Sequence, residues 1–321
     1  MRIATSHGFG GPEVLTIGEA PSPQVGTHDI LIQVRAAGVN RADLLQREGR
    51  YPSPPGAPPW PGLEVAGVVA EIGDAVTRWQ VGDEVCALLP GGGYADQVAV
   101  DADLALPVPD GLTMVEAAGL VEAACTVWSN LHEADARAGE RVLVHGGSGG
   151  VGHIAIQIAA ALDMEVWATA GGPERAARCA ALGARAIDYR ADDFTTVMTN
   201  AGGADVILDV VGGAYLARNL EALATGGRLV VIGMQRGARA ELDLGRLLMM
   251  RARIIGTTLR SRPLAERQAI VAAVREHVWP LVPGQVRPII HVTEPLESAA
   301  DAHRALDSGD VFGKVVLTTD P

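Results

Sequence analysis

Residues 145–153 read HGGSGGVGH and follow directly on the apolar run RVLV (141–144). Five of the nine are glycine. Glycine is entropically costly, so a folded chain concentrates it where the backbone must turn sharply or approach something closely. Gly147-Ser148-Gly149-Gly150-Val151-Gly152 fits GxGxxG. That spacing carries weight only between a strand and a helix. Both are predicted here: RVLV as the strand, and GGVGHIAIQIAAALD as a helix short of charge all round, suited to packing on a sheet. Such a turn lets the backbone approach a diphosphate, and the helix N-terminus offers N–H groups with about half a unit of positive charge. The expected ligand is a dinucleotide.

The flanking chain agrees. EVWATA, PERAARCAALGA, AIDYR, ADVILDVVG, AYLARNLEALA and GRLVVIG alternate strand-like and helix-like segments with short links. That alternation predicts a parallel sheet covered on both faces, an α/β doubly wound arrangement. MVEAAGLVEAACTVWSNLHEA (114–134) reads as helical just before it. The strand EVWATA ends in Ala170-Gly171-Gly172-Pro173, with no acid at its tip to take a ribose 2′-hydroxyl. Glu174 and Arg175 come at the opening of the next helix. A small neutral turn followed by a cation leaves room for a 2′-phosphate, which arginine can bind through a forked pair of hydrogen bonds. The pattern predicts NADPH over NADH; the competing reading makes Arg175 a solvated helix residue.

The first 115 residues are strand-rich instead. ILIQVRAAGV (30–39), EVAGVVAEIG (64–73) and YADQVAV (94–100) are strand candidates. Between them YPSPPGAPPWPG (51–62) places six prolines in twelve residues, so it must be a rigid extended loop. Past residue 250 come ARIIGTTL, a long helix candidate LAERQAIVAAVREHVWPLV (264–282) and a last strand candidate GKVVLTT (313–319). A lone final strand needs a sheet to join, so the C-terminal segment should complete the first domain.

Composition bounds the function. At 321 residues, 48% apolar, 20% charged and net charge −12, the chain reads as an ordinary soluble two-domain protein. The acidic balance disfavours nucleic-acid binding. The N-terminal stretch lacks a signal-peptide core, and no apolar segment approaches the roughly 20 residues that span a bilayer, so the expected location is cytoplasmic. Cys86, Cys125 and Cys179 are far apart without metal-finger spacing and read as reduced, partly buried thiols.

Several further stretches carry a family resemblance: AAGVNRADLLQREGRYPSPPG (36–56), PGLEVAGVVAEIG (61–73), VGDEV (81–85), LLPGGGYA (88–95), EAACTVW (122–128) and FGKVVL (312–317). With GxGxxG near the middle, the chain resembles the medium-chain dehydrogenase/reductase superfamily. It is most similar to the zinc-free quinone oxidoreductase branch of the zeta-crystallin kind, and within it to the tumour-suppressor-inducible quinone reductase group. The resemblance implies a GroES-like catalytic domain over 1–118, completed by 257–321, and a Rossmann NADPH-binding domain over 119–256. Zinc-dependent alcohol dehydrogenases of this superfamily carry Cys, His and Cys where this chain has Asn40, Leu63 and Glu122. Leucine cannot ligate a metal and an amide oxygen is a poor zinc ligand, so no metal is expected and alcohol oxidation is disfavoured.

The resemblance also implies roles. Asn40 would face the nicotinamide side and, with Tyr51, orient the substrate. Thr126 would contact the nicotinamide ring or ribose. Gly149, Gly150, Val151 and Gly152 would line the pyrophosphate, and Gly172, Arg175 and Tyr189 the 2′-phosphate. Gly233, Met234 and Leu259 would lie near the nicotinamide end. Tyr51 could instead pack on its prolines, Asn40 could bond its own backbone, and Glu64 reads better as a buried ion-pair partner than as a catalyst. His145 and His153 receive no chemical role. The implied activity is NADPH-dependent quinone reduction, for which the cofactor brings the hydride and the protein position and a dry slot. An enone or enal reductase, or a non-catalytic NADPH-binding protein, are the alternatives. ARIIGTTL near the sheet's end is an apolar edge that needs covering, which together with the resemblance points to a homodimer.

Overall fold

A computed structural model describes residues 1–319. The chain forms two compact units, residues 1–125 with 260–321 and residues 126–259.

The first unit opens with a hairpin of β1 (Arg2–Ser6) and β2 (Leu15–Glu19). Then come β3 (Asp29–Val39), α1 (Arg41–Arg47), β4 (Glu64–Ile72), β5 (Glu84–Leu88), β6 (Gln97–Asp101) and β7 (Ala105–Pro107). No helix or strand forms over 51–62, as the prolines dictate. The stretch 114–134 is not one helix. It divides into α2 (Met114–Ala118) and α3 (Val121–Glu133), and the division between the units falls within α3, between Cys125 and Thr126. The break falls at Gly119, where an added methyl would stand 3.0 Å from Ile290 Cδ1, so the bare backbone is what packs there.

The second unit runs β8 (Arg141–Val144), α4 (Gly152–Ala161), β9 (Glu165–Ala170), α5 (Pro173–Ala181), β10 (Arg185–Asp188), α6 (Phe194–Asn200), β11 (Ala204–Asp209), α7 (Leu216–Ala222), β12 (Leu223–Val231), α8 (Leu244–Met250) and β13 (Arg253–Gly256). All six strands pair in parallel, in the order β10-β9-β8-β11-β12-β13. Counted from β8 this is 3-2-1-4-5-6, the Rossmann order, whose switch point lies between β8 and β11. The first eight residues of α4 are buried, as its all-round apolar sequence requires. Around Leu143, Ile207, Phe194 and Leu229 a continuous apolar core closes one face of the sheet. Each such fully buried side chain contributes roughly 1.5–3 kcal/mol.

The chain then returns to the first unit as α9 (Leu264–His277), β14 (Ile290–Pro295), α10 (Ala299–Asp307) and β15 (Lys314–Thr318). The helix expected over 264–282 stops at His277, because Pro280 cannot continue the hydrogen-bond ladder. β15 lies inside the sheet β14-β15-β3-β4-β5-β7, antiparallel to β3, while β6 also pairs β3. Among the described residues no helix is long and apolar enough to cross a membrane.

Candidate active site

In the second unit, the glycine turn sits at the C-terminal end of β8. Gly146 takes φ +70°, and Gly149 N–H closes the turn on Gly146 O at 2.9 Å. A methyl on Gly152 would stand 2.1 Å from Gly146 O, and one on Gly147 2.9 Å from Ala168 Cβ. Glycine is therefore required for helix α4 to close onto the strand and its turn. Among the described residues the N–H groups of Gly150 and Val151 take no acceptor, which is what a diphosphate cradle at a helix start needs.

The tip of β9 follows. Gly172 takes φ +95° and donates its N–H to Asp188 Oδ1 at 2.8 Å. Asp188 also accepts from Arg190 N–H, and these bonds hold its carboxyl below the usual range. The Tyr189 hydroxyl lies so close to Gly171 that an added methyl would meet it at 2.5 Å, with Arg190 Nε at 3.4 Å. Tyr189 is 40% exposed, and Arg175 is half-buried in the first turn of α5. Gly172 and Tyr189 thus come together at the end of the sheet. Arg190 joins them as a cation that sequence reading missed, because its position depends on β10 ending beside β9.

The loops after β11 and β12 interlock at the switch point. Gly233 N–H donates to Asp209 O at 3.2 Å, and Arg236 N–H to Val211 O at 2.8 Å. Met234 is 57% exposed, and its Cα would stand 2.9 Å from a methyl on Gly212. Beneath lies a buried chain of groups. His145 meets Thr169 Oγ1 at 3.1 Å and Asn219 Oδ1 at 2.8 Å, and Asn219 donates to Asp209. Burial lowers His145 to about 4 and raises Asp209 to about 6. The carbonyl of the buried Thr126 accepts from Asn130 Nδ2 at 2.6 Å, and Asn130 Oδ1 accepts from Thr257 at 2.5 Å, so Thr126 is tied to the segment holding the half-buried Leu259.

In the first unit three neighbouring strands bring Asn40, Glu64 and Lys314 to one place. Lys314 Nζ donates to Glu64 Oε1 at 2.6 Å and to Asn40 Oδ1 at 2.7 Å. Asn40 Nδ2 donates to Glu64 Oε1 at 3.0 Å, and Glu64 Oε2 accepts the Glu122 N–H at 2.9 Å. Glu64 and Lys314 are 0% and 1% exposed. Glu64 is thus a buried ion-pair partner; its cation, Lys314, was not singled out because the pair spans 250 residues. Asp43, in the first turn of α1, accepts from the Asn40 and Gly62 N–H groups, and burial raises it to about 6.

The half-buried Tyr51 lies at the start of the proline loop, 5.2 Å from the Arg260 guanidinium. Burial raises its phenol. Arg260 fastens that loop, donating to Pro90 O at 2.6 Å, Gln46 Oε1 at 2.7 Å and Ser53 Oγ at 3.0 Å.

The superfamily's catalytic zinc does not fit these residues. Leu63 is buried and offers no donor, while a lysine ammonium already occupies the oxygens of both Asn40 and Glu64. Among the described residues no group of three His, Cys, Asp or Glu is placed to hold a metal ion.

Residues 26–110 match the family described as alcohol dehydrogenase GroES-like domain, and residues 150–275 match that described as zinc-binding dehydrogenase. The chain is 36% identical to the quinone oxidoreductase of Rattus norvegicus, over 99% of this chain and 97% of the rat protein. The quinone oxidoreductase of Thermus thermophilus, solved alone and with NADPH, superposes with a TM-score of 0.85 at 34% identity, covering 99% of this chain and 100% of that one. The CurK enoyl reductase gives 0.87 at 25% identity, covering 99% of each. The switch-point turn, the two-unit chain path and these full-length likenesses agree: the chain belongs to the medium-chain dehydrogenase/reductase superfamily, alongside its quinone oxidoreductases.

Proposed function

We propose that this protein is an NADPH-dependent reductase of quinones working without a metal. NADPH, when bound, supplies the hydride, so the chain has to bind, orient and exclude water. In this reading the turn Gly149–Gly152 lines the diphosphate, and the N–H groups of Gly150 and Val151 donate to it. Gly172, Arg175 and Tyr189, joined by Arg190, take the 2′-phosphate. Thr126, Gly233, Met234 and Leu259 receive the nicotinamide end. Asn40 and Tyr51 orient the substrate oxygen. A quinone carbonyl is already electrophilic, so no general acid poised near neutrality is demanded.

The main support is the cluster Asn40–Glu64–Lys314. It has a cation where the zinc enzymes need ligands, in a chain that aligns end to end with quinone oxidoreductases. Steady-state NADPH oxidation with a panel of ortho- and para-quinones tests it, and turnover is expected. Turnover confined to α,β-unsaturated aldehydes or ketones would replace it with the enone reductase reading, which the CurK likeness favours. Tight NADPH binding without turnover on either would make the chain a binding protein. Arg175→Ala and Arg190→Ala should each weaken NADPH by at least tenfold and leave NADH nearly unchanged; equal losses for both coenzymes would remove these residues from 2′-phosphate recognition.

A homodimer is part of the same reading. β13 is one of the sheet's two edge strands, with Ile254 37% exposed, and α8 leaves Leu244, Leu248 and Met249 67%, 74% and 77% exposed. Such an edge and apolar face call for covering.

A further inference from the structure

The register of the sheet β14-β15-β3-β4-β5-β7 gathers three side chains at the end of β3. Val315 pairs with Val39, which puts Lys314 opposite Asn40, and Ala37 pairs with Val65, which puts Glu64 opposite Gly38. A methyl on Gly38 would stand 2.2 Å from Glu64 Oε1, so the bare glycine makes room for the carboxylate. Asn40 then spends nearly all its hydrogen-bonding groups locally. Its N–H goes to Asp43 and its Oδ1 takes Lys314. One Nδ2 hydrogen goes to Glu64, and the second takes no acceptor among the described residues.

A carboxamide is nearly symmetric in shape, so its orientation is decided by its partners. Turning the Asn40 amide over would press its NH2 against an ammonium and its oxygen against a carboxylate. The buried pair forbids that. The Asn40 amide is consequently held in one orientation, its oxygen on Lys314 and its remaining N–H always on the same side. The ammonium also draws electron density through the carbonyl, and linked hydrogen bonds polarise one another, which sharpens the N–H as a donor.

We propose that Lys314, acting with Glu64, is a positioning residue that makes Asn40 a one-way hydrogen-bond donor for the carbonyl oxygen of the reduced substrate. This rests on the reading of the protein as a reductase of conjugated carbonyls. A fixed donor aimed at an oxygen that gains charge in the transition state stabilises it without reorganisation at the moment of reaction. The substrate class is accordingly one whose oxygen becomes more basic on hydride addition: a quinone, or the ketone or aldehyde of an enone.

The test is a mutant cycle read as kcat and KM for 9,10-phenanthrenequinone at saturating NADPH, or for an enone if the wild type prefers one. Asn40→Ala should lower kcat by about 10²-fold, the scale of losing one such donor. Removing Lys314 alone strands a buried carboxylate, so the pair is removed together. Lys314→Met/Glu64→Gln should lower kcat at least tenfold while the KM for NADPH stays within about twofold. Adding Asn40→Ala to that variant should cost nothing beyond Asn40→Ala alone, because the lysine acts through the asparagine. Additive losses, or wild-type kcat in the paired variant, would overturn the proposal. Should the paired variant not fold, Asn40→Asp takes its place: it keeps the shape and the bond to Lys314 but replaces the donor with an oxygen set against Glu64; retained kcat there would overturn it equally. A wild type that reduces neither quinones nor enones withdraws the reductase reading and this inference together, whereas turnover with an additive cycle withdraws only the inference.

Discussion

At Gly152 a single methyl group has nowhere to go: it would meet the Gly146 carbonyl oxygen at 2.1 Å, and backbone cannot step aside as a flexible side chain could. Gly152→Ala should therefore weaken NADPH binding at least 100-fold by fluorescence titration and lower the melting temperature, since it separates α4 from the turn it grips. A variant that binds normally would show that the turn does not cradle the diphosphate. This glycine was legible because its spacing repeats a motif with a mechanism. Arg190 and Lys314 were not. Arg190 gains its place from two strand ends meeting in space, and Lys314 finds Asn40 across 274 residues. A charge embedded in an apolar strand, as in FGKVVL, was the available clue: a buried lysine implies a partner.

At the level of elements, β8, β9, β11 and α7 are joined beneath the switch point by Thr169, His145, Asn219 and Asp209. Burial fixes the sign of the resulting pH dependence. His145 titrates near 4 when folded and near 6.5 when unfolded, so between these values the unfolded chain holds more protons and stability is lost as pH falls. The raised Asp209 acts oppositely between its ordinary value of 3.8 and about 6. His145→Gln keeps a polar side chain but cannot take up that proton. Its stability from denaturant melts should fall less steeply than the wild type's between pH 6.5 and 4, by up to about 1.4 kcal/mol per pH unit. Parallel curves would place the acid-sensitive group elsewhere. The order of elements was readable from the alternation of apolar strands and helices. Their breaks were not: nothing local at Gly119 announces that Ile290 must pack against its backbone.

On the scale of the whole molecule, the doubly wound unit leaves apolar side chains of the edge strand β13 and of α8 exposed. In the dimer reading, sedimentation at micromolar concentration should give a dimer, and Leu248→Glu/Met249→Glu should shift it toward monomer without loss of NADPH binding. A monomeric wild type would remove the pairing. The chain path has a further consequence. β15 belongs to the interior of its sheet, flanked by β14 and β3, although it is the final strand of the described chain. During synthesis β3 must wait for a neighbour that emerges from the ribosome nearly three hundred residues later. The nucleotide-type unit, contiguous in the chain, can mature in the meantime. Loss of a few residues near Thr318 would leave β3 with β4 and β6 but without its last neighbour, and turn the half-built sheet into a target for proteolysis.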